Sequence, residues 1–319
     1  MILKIILLIV GFIVLIKGAD IFVDGSSSLA RNFKVSKMLV GLTIVAFGTS
    51  APELAVSIKS MISNSGDIVL GNVIGSNILN ILLIIGCSSL VHDLKVKNDT
   101  IKKELPILLQ FSTLLIVLMS DFVLSGQVDL LDRGDGITLV LFFLVFIYYL
   151  LHMALSKKEK EVEDKNEKIL SIPKSIVFII IGIGAIVLGS DLAVNNAIGI
   201  ASALGVSERI IGLTIIALGT SLPELVTSIT ATRKGEYDIA IGNVVGSNIF
   251  NIGLVLGIPI AIFGGINVGT FNMFDIIFFF ISALFLFLFA ANDRKIRKAE
   301  GILLLIMFIA YYTLVIIKA

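Results

Sequence analysis

The chain has 319 residues, of which 57% are hydrophobic and 15% charged, and its mean hydropathy is +1.05. Soluble domains are about a quarter charged, so this composition excludes an ordinary soluble protein and indicates a polytopic helical membrane protein. The net charge of +1 gives no basis for nucleic-acid binding. A single cysteine, Cys87, excludes an intrachain disulfide and a cysteine metal cage.

Long apolar runs predict ten membrane-spanning helices, because a span needs about 20 mainly apolar residues. The first run resembles a signal peptide, but residues 11–20 align with the internal segment 182–191, so we interpret it as a mature first helix. The predicted spans are 2–28, 36–62, 68–90, 104–120, 134–153, 173–201, 207–232, 239–263, 272–290 and 299–317.

A charged segment, residues 157–168, separates five spans from five. It predicts a first five-helix repeat over 1–154, a linker over 155–172 and a second repeat over 173–319. With the N-terminus outside, the inner loops hold 19 Lys and Arg residues and the outer side holds 4. Because positive charge accumulates in cytoplasmic loops, we expect a plasma-membrane protein with both termini outside and a cytoplasmic linker.

The two halves contain copies of one stretch. Ser36–Gly86 and Ser207–Gly257 match at 27 of 51 positions without a gap, at an offset of 171 residues. An odd number of spans per half means that the second half enters the membrane in the opposite orientation. Inverted repeats of this kind are typical of secondary transporters, in which the two halves alternate in exposing a central site.

Each copy places a glutamate directly after a proline inside an apolar run. Glu53 follows Pro52 in Gly-Thr-Ser-Ala-Pro-Glu, and Glu224 follows Pro223 in Gly-Thr-Ser-Leu-Pro-Glu. Ionisable residues inside spans are costly and indicate function. Proline, together with the glycine four residues before it, predicts a break in span 2 at 48–52 and in span 7 at 219–223. Backbone carbonyls that are freed at such breaks can bind cations. The hydroxyl residues at these breaks are Thr49, Ser50, Thr220 and Ser221.

A second repeated string, Gly-Asn-x-x-Gly-Ser-Asn-x-x-Asn, lies in spans 3 and 8, which we expect to be bent. Its glycines suit close helix packing. The polar residues that packing does not explain are Ser76, Asn77, Asn80, Ser247, Asn248 and Asn251. We interpret Ser76, Ser247, Asn80 and Asn251 as cation ligands and Asn77 and Asn248 as interhelical hydrogen-bonding residues.

The candidate site contains only oxygen ligands, which suit hard cations such as Ca²⁺. Softer ligands would indicate a transition metal. Two glutamates carry a charge of −2, which neutralises one Ca²⁺ or can be shared among several Na⁺. A site that holds either ion, but not both together, is the physical basis of exchange. Aligned Asp20 and Asp191, in spans 1 and 6, fit either helix packing or a vestibule.

The paired motifs resemble the α-repeats of the cation/calcium exchanger superfamily, and in particular the prokaryotic calcium/sodium antiporters. The resemblance covers nearly the whole chain. It implies an all-α fold of two inverted five-helix repeats, exchange of Na⁺ for Ca²⁺, and a mobile pair formed by spans 1 and 6. The ligands that it implies are Glu53, Thr49, Ser50, Ser76, Asn80, the Ala46 carbonyl, Glu224, Thr220, Ser221, Ser247, Asn251 and the Ala217 carbonyl.

Both repeats end in asparagine, whereas some members of the family, including the potassium-dependent animal exchangers, carry aspartate where this chain has Asn251. This difference argues against obligatory K⁺ transport. The sequence therefore predicts a Ca²⁺/Na⁺ antiporter without a resident cofactor, whose partners are small cations and membrane lipid, with no obligatory protein partner. The alternatives are H⁺/Ca²⁺ exchange at the same site and a cation channel. An intramembrane enzyme is disfavoured, because the sequence contains no evident nucleophile and base pair.

Overall fold

The computed structural model describes residues 1–63, 65–126, 128–156, 169–206, 214–215, 217–268 and 273–318. The charged segment 157–168 and the start of predicted span 7, residues 207–213, therefore lie outside the described residues. The described chain is mainly helical, and its few strands are two residues long.

Helices follow the predicted spans closely. In chain order they are α1 (Ile2–Phe33), α2 (Lys37–Ile62), α3 (Gly66–Val91), α4 (Leu105–Leu118), α5 (Asp121–Ser125), α6 (Arg133–Ser156), α7 (Ile172–Ala203), α8 (Ala217–Thr220), α9 (Leu222–Arg233), α10 (Tyr237–Phe263), α11 (Met273–Ala291) and α12 (Lys298–Lys318). Eight of the described helices are long and apolar enough to cross a membrane. Of the others, α4 has 14 residues and α9 has 12.

Two short antiparallel strand pairs join loops that are far apart in sequence. Strand β1 (Leu94–Lys95) pairs with β4 (Lys295–Ile296), and β2 (Leu130–Leu131) pairs with β3 (Ile266–Asn267). The first pair joins two loops predicted to be cytoplasmic, and the second joins two loops predicted to be external. Each pairing thus brings together loops that the charge pattern assigns to one side.

Small residues let the helices of the two halves approach closely. Helix α1 packs along α7, where a Cβ added to Gly11 would lie 2.7 Å from the Ala193 nitrogen. Helix α10 packs against α2, where a Cβ added to Gly246 would lie 2.7 Å from the Cβ of Ala46. Gly242 and Gly246 therefore act as a packing motif. They let α10 of the second half approach α2 of the first half, next to the candidate site.

The predicted break in span 2 is wrong. Residues 46–62 form continuous α-helix through Pro52, and the irregularity of α2 lies earlier, in a π-helical segment at Gly41–Val45. Proline removes only one backbone donor, and tertiary packing can hold a helix continuous at the cost of that single hydrogen bond. The helix can therefore continue past this proline.

The predicted break in span 7 is confirmed. Helix α8 ends at Thr220, Ser221 forms a turn, and α9 begins at Leu222 with Pro223 in its first turn. A proline in the first turn needs no backbone donor, so it favours a new helix start. The two copies of the motif thus have different local structures.

Helices α3 and α10 each change to π-helix at a predicted ligand. The π-helical segments are Asn80–Ile85 in α3 and Asn251–Leu256 in α10. A π-bulge widens the helix by one residue and is a recognised cause of bending. The bends expected in spans 3 and 8 stay a prediction, and these π-helical segments, at corresponding positions of the two repeats, are where such bends would occur.

Candidate functional site

The site lies among α2, α3, the junction of α8 and α9, and α10, where both copies of each motif meet. The carboxylates of Glu53 and Glu224 are both buried, with 1% of each residue exposed. A hydroxyl of one half reaches the carboxylate of the other, because Ser50 Oγ donates to Glu224 Oε1 at 3.1 Å. The structure therefore brings together two motifs that are 171 residues apart.

Residues of the first copy lie on the buried face of α2. Thr49 Oγ1 lies 3.0 Å from Asn243 Oδ1, 3.1 Å from the Val45 carbonyl and 3.3 Å from the Ala46 carbonyl. Ser50 and Ala46 are also buried. This face of α2 thus contacts the second half through two hydroxyls, of Thr49 at Asn243 and of Ser50 at Glu224.

Residues of the second copy lie around the helix interruption. Ser221 is buried in the turn, whereas Thr220, at the end of α8, is half-buried and makes polar contacts. Ala217 begins α8. The hydroxyls predicted on α3 and α10, Ser76 and Ser247, are buried as well.

Four asparagines form a hydrogen-bonded cluster between α3 and α10. Asn80 Nδ2 donates to Asn248 Oδ1 at 2.9 Å, and Asn251 Nδ2 donates to Asn77 Oδ1 at 3.0 Å. Asn77 and Asn248 thus form hydrogen bonds between helices, which agrees with their interpretation from the sequence. The cluster uses the Nδ2 atoms of Asn80 and Asn251, so the Oδ1 atoms of these two residues take no part in these two hydrogen bonds.

Six buried oxygens of predicted ligands have no hydrogen-bond partner among the described residues. They are Glu53 Oε2, Glu224 Oε2, Asn80 Oδ1, Asn251 Oδ1, Ser221 Oγ and Ser247 Oγ. Buried polar atoms are rarely left unpaired in native proteins. Carboxylate, amide and hydroxyl oxygens fit a hard cation. The described part of the chain has no group of three or more His, Cys, Asp or Glu side chains that could hold a metal ion. Four of the six oxygens in this set are neutral amide or hydroxyl oxygens.

Two functional candidates escaped the sequence analysis. Asn72 Nδ2 lies 3.5 Å from the Glu53 carbonyl, and Asn243 Nδ2 lies 3.4 Å from the Glu224 carbonyl and 2.9 Å from Ser228 Oγ. Both asparagines therefore hold the backbone of a glutamate in place. The signal was present, since each is the asparagine of a Gly-Asn dipeptide that recurs at the same offset.

A model of the family "Sodium/calcium exchanger protein" matches residues 3–152 and 174–317, nearly the whole chain. The chain belongs to this family. It is 39% identical over 317 residues to the putative antiporter CaxA of Alkalimonas amylolytica, with 96% of each chain covered. It is 32% identical to the sodium/calcium exchanger MaX1 of Methanosarcina acetivorans, also with 96% of each chain covered.

A solved structure of the sodium-calcium exchanger NCX_Mj, soaked with 10 mM Na⁺ and zero Ca²⁺, resembles this exchanger-family chain with a TM-score of 0.83. The two sequences are 33% identical, and the match covers 99% of this chain and 98% of that chain. The resemblance predicted from the repeated motifs is thereby confirmed at the level of family and helical fold.

Charged contacts tie one end of α1 to the turn between α9 and α10 of this exchanger-family protein. Lys234 Nζ lies 2.7 Å from Asp24 Oδ1 and donates to the Asp20 carbonyl at 2.8 Å. Buried Glu236 accepts from Ser27 Oγ at 2.6 Å and lies 2.8 Å from Lys37 Nζ. These groups, named here the α1 latch, join α1 to the start of α2 and the end of α9.

The aligned aspartates of α1 and α7 have different surroundings. Asp20 belongs to the α1 latch, with its Oδ1 3.7 Å from Lys234 Nζ. Asp191 instead accepts a hydrogen bond from Asn195 Nδ2, one turn later in α7, at 2.9 Å. The two aligned aspartates therefore differ in their contacts, since Asp20 lies near a lysine outside α1 and Asp191 binds within α7.

Proposed function

We propose that this protein is a secondary active antiporter that exchanges Na⁺ for Ca²⁺ across the plasma membrane. The site would be built around Glu53 and Glu224, and it would open alternately to the two sides. The observation that carries the proposal is the set of six unpaired buried oxygens, drawn from both halves and including one oxygen of each glutamate. Relatives named as sodium/calcium exchangers support the choice of ions.

Charge balance accounts for exchange at one site. Two glutamates neutralise one Ca²⁺, and its six to eight oxygen ligands would include Asn80 and Asn251. Without Ca²⁺, the same charge can be shared by Na⁺ ions bound among serine, threonine and carbonyl oxygens. The remaining candidate ligands are Thr49, Ser50, Thr220, Ser221, Ser76, Ser247 and the carbonyls of Ala46 and Ala217. Competition for the glutamates would couple the two ions.

The proposed architecture has ten spanning helices in two inverted repeats, with both termini outside and the linker in the cytoplasm. Pairing of β1 with β4 and of β2 with β3 supports it, because each pair joins loops of the same predicted side. The close packing of α1 on α7 supports their movement as one unit. The α1 latch would hold that unit in place at the cytoplasmic end.

Radioactive Ca²⁺ uptake tests this function in proteoliposomes loaded with Na⁺ and diluted into Na⁺-free buffer. We expect uptake that requires internal Na⁺ and that is lost in Glu53→Gln and in Glu224→Gln. A matched control is Glu300→Gln, because Glu300 caps the backbone of Arg297 at the start of α12. Unchanged uptake in either central variant would overturn the proposal.

The coupling ion is tested by the same assay with a pH gradient in place of the Na⁺ gradient. Uptake driven by a pH gradient alone would mean that the two glutamates still form the site but that the coupling ion is H⁺ and not Na⁺. Uptake without any imposed gradient, at a rate set only by the Ca²⁺ concentration, would instead indicate a channel. We expect neither result.

A further inference from the structure

A pocket distinct from the candidate site lies at the end of the molecule that we propose to be cytoplasmic. It has a volume of about 170 Å³ and lies where the start of α2, the 97–100 loop, the start of α4 and the end of α6 meet. Its oxygen-bearing lining residues are Ser36, Asn98, Asp99, Thr100 and Glu104. Ser36 precedes Glu53 by 17 residues of mostly helical chain, or roughly 25 Å at 1.5 Å per residue, so the pocket is separate from the central site.

Glu104 is the buried carboxylate of this pocket, with only 1% of the residue exposed. Its Oε1 accepts a hydrogen bond from the Tyr149 hydroxyl of α6. Its Oε2 is buried without a hydrogen-bond partner among the described residues. A buried carboxylate held by a single phenol retains the capacity to bind a cation.

Two neighbouring lysines are engaged with other carboxylates. Lys97 Nζ lies 2.8 Å from Asp238 Oδ2, and Lys103 Nζ lies 3.3 Å from Asp99 Oδ2. Lys97 and Asp99 also line the pocket, and these two ion pairs balance the charges of their own members without including Glu104. Burying a charge without a counter-ion is unfavourable, so this carboxylate needs a proton or a cation.

We propose that this pocket binds a hard monovalent cation of the Na⁺ type, with Glu104 as its charged ligand. Thr100 and Asn98 line the same pocket. Hydroxyl and amide oxygens, which these two side chains carry, are ligands that hard cations prefer. One carboxylate balances one positive charge, which favours a monovalent ion over Ca²⁺. A water molecule occupies about 30 Å³, so the pocket has room for an ion that keeps part of its hydration shell.

Equilibrium binding of ²²Na⁺ tests the site in the purified full chain carrying Glu53→Gln and Glu224→Gln. Removing the central carboxylates leaves the pocket intact, and we expect one saturable Na⁺ site. Adding Glu104→Gln should lower that binding at least tenfold. The matched control is Asp275→Asn, because Asp275 accepts a hydrogen bond from Tyr311 at 2.9 Å and lies 171 residues after Glu104.

Several outcomes would overturn the proposal. Glu104→Gln could leave Na⁺ binding unchanged, which would assign the bound ion to another place. The protein could bind no Na⁺ before Glu104 is replaced, which would mean that the pocket is not a Na⁺ site. Displacement of ²²Na⁺ by equimolar Ca²⁺ would show that the pocket prefers a divalent ion.

Tyrosine fluorescence provides a second measurement that keeps Glu104 unaltered. The chain has five tyrosines and no tryptophan, so its emission reports tyrosine environments. In the chain with both central glutamates replaced, Na⁺ should change the emission, and Tyr149→Phe should abolish that change. An identical response with and without Tyr149 would contradict the site. Both measurements are independent of transport, so a failed exchange assay would not affect their interpretation.

Discussion

Asn77 and Asn248 exchange equivalent hydrogen bonds, since each Nδ2 donates to the backbone carbonyl of the other at 3.2 Å. The two residues occupy the same position in the two repeats, 171 residues apart. Their side-chain oxygens also accept hydrogen bonds from Asn251 and Asn80. This reciprocal pair therefore connects the two halves and orients the amides of two candidate ligands.

Asn77→Ala and Asn248→Ala should destabilise the protein by similar amounts. Each substitution removes hydrogen bonds and leaves buried partners unpaired, which costs about 1–3 kcal/mol per group. Thermal unfolding followed by circular dichroism in detergent measures the effect. Asn195→Ala serves as the control, because Asn195 makes an exposed hydrogen bond within α7 and should change the midpoint little. A clear loss of stability in only one of the two central variants would contradict an equivalent role.

Asn243→Ala should reduce Ca²⁺ uptake more than Asn72→Ala does. Asn243 is fully buried, binds Ser228 at 2.9 Å and accepts from Thr49 of the other half at 3.0 Å. Asn72 is only partly buried, and its contacts are 3.4 and 3.5 Å long. Residues that orient ion ligands typically contribute about 10- to 100-fold to affinity or activity. Initial uptake rates per reconstituted protein compare the two variants, and equal losses would show that burial and contact with Thr49 are irrelevant.

The sequence predicted the helices well because apolar length is a strong signal. Predicted span 239–263 and the observed helix Tyr237–Phe263 differ by only two residues. The sequence also predicted that the repeated polar residues are buried, because a carboxylate such as that of Glu53 or Glu224 inside an apolar run needs buried partners.

Local backbone geometry was harder to predict from the sequence. The same Gly-Thr-Ser-x-Pro-Glu pattern gives a continuous helix around Pro52 and an interruption before Pro223. Tertiary packing decides whether a proline ends a helix, and a local pattern does not contain that information. For the same reason, the α1 latch and the roles of Asn72 and Asn243 required coordinates, because their partners lie on other helices.

Replacing Lys234 with Gln should loosen the end of α1. Lys234 is bound to Asp24 and to the Asp20 carbonyl, so the substitution removes its charged contacts with α1. We expect faster maleimide labelling of a cysteine placed at the fully buried Ser26, by severalfold, from the side that we propose to be cytoplasmic. The native Cys87 is replaced by serine in this experiment.

Lys103→Gln is the control for this measurement. Lys103 forms an exposed ion pair with Asp99, four residues earlier in the chain, so this pair does not join α1 to another element. Such pairs contribute little to stability, so its loss should leave labelling unchanged. Equal labelling in the Lys234 and Lys103 variants would mean that the α1 latch does not restrain α1.

Asn251→Asp should change which cations the protein transports. The substitution raises the formal charge of the proposed site from −2 to −3, and the added charge requires a further cation. It also places a carboxylate oxygen against Asn77 Oδ1, which now accepts from Asn251 Nδ2 at 3.0 Å. We expect K⁺ to change the rate of Ca²⁺ uptake by the Asn251→Asp variant at least twofold. The rate of uptake by the unaltered protein should be the same with and without K⁺. Asn80→Asp adds the same charge from the other half and shows whether position matters. If the ion profile of Asn251→Asp is unchanged, Asn251 is a structural residue and its buried Oδ1 is not a cation ligand.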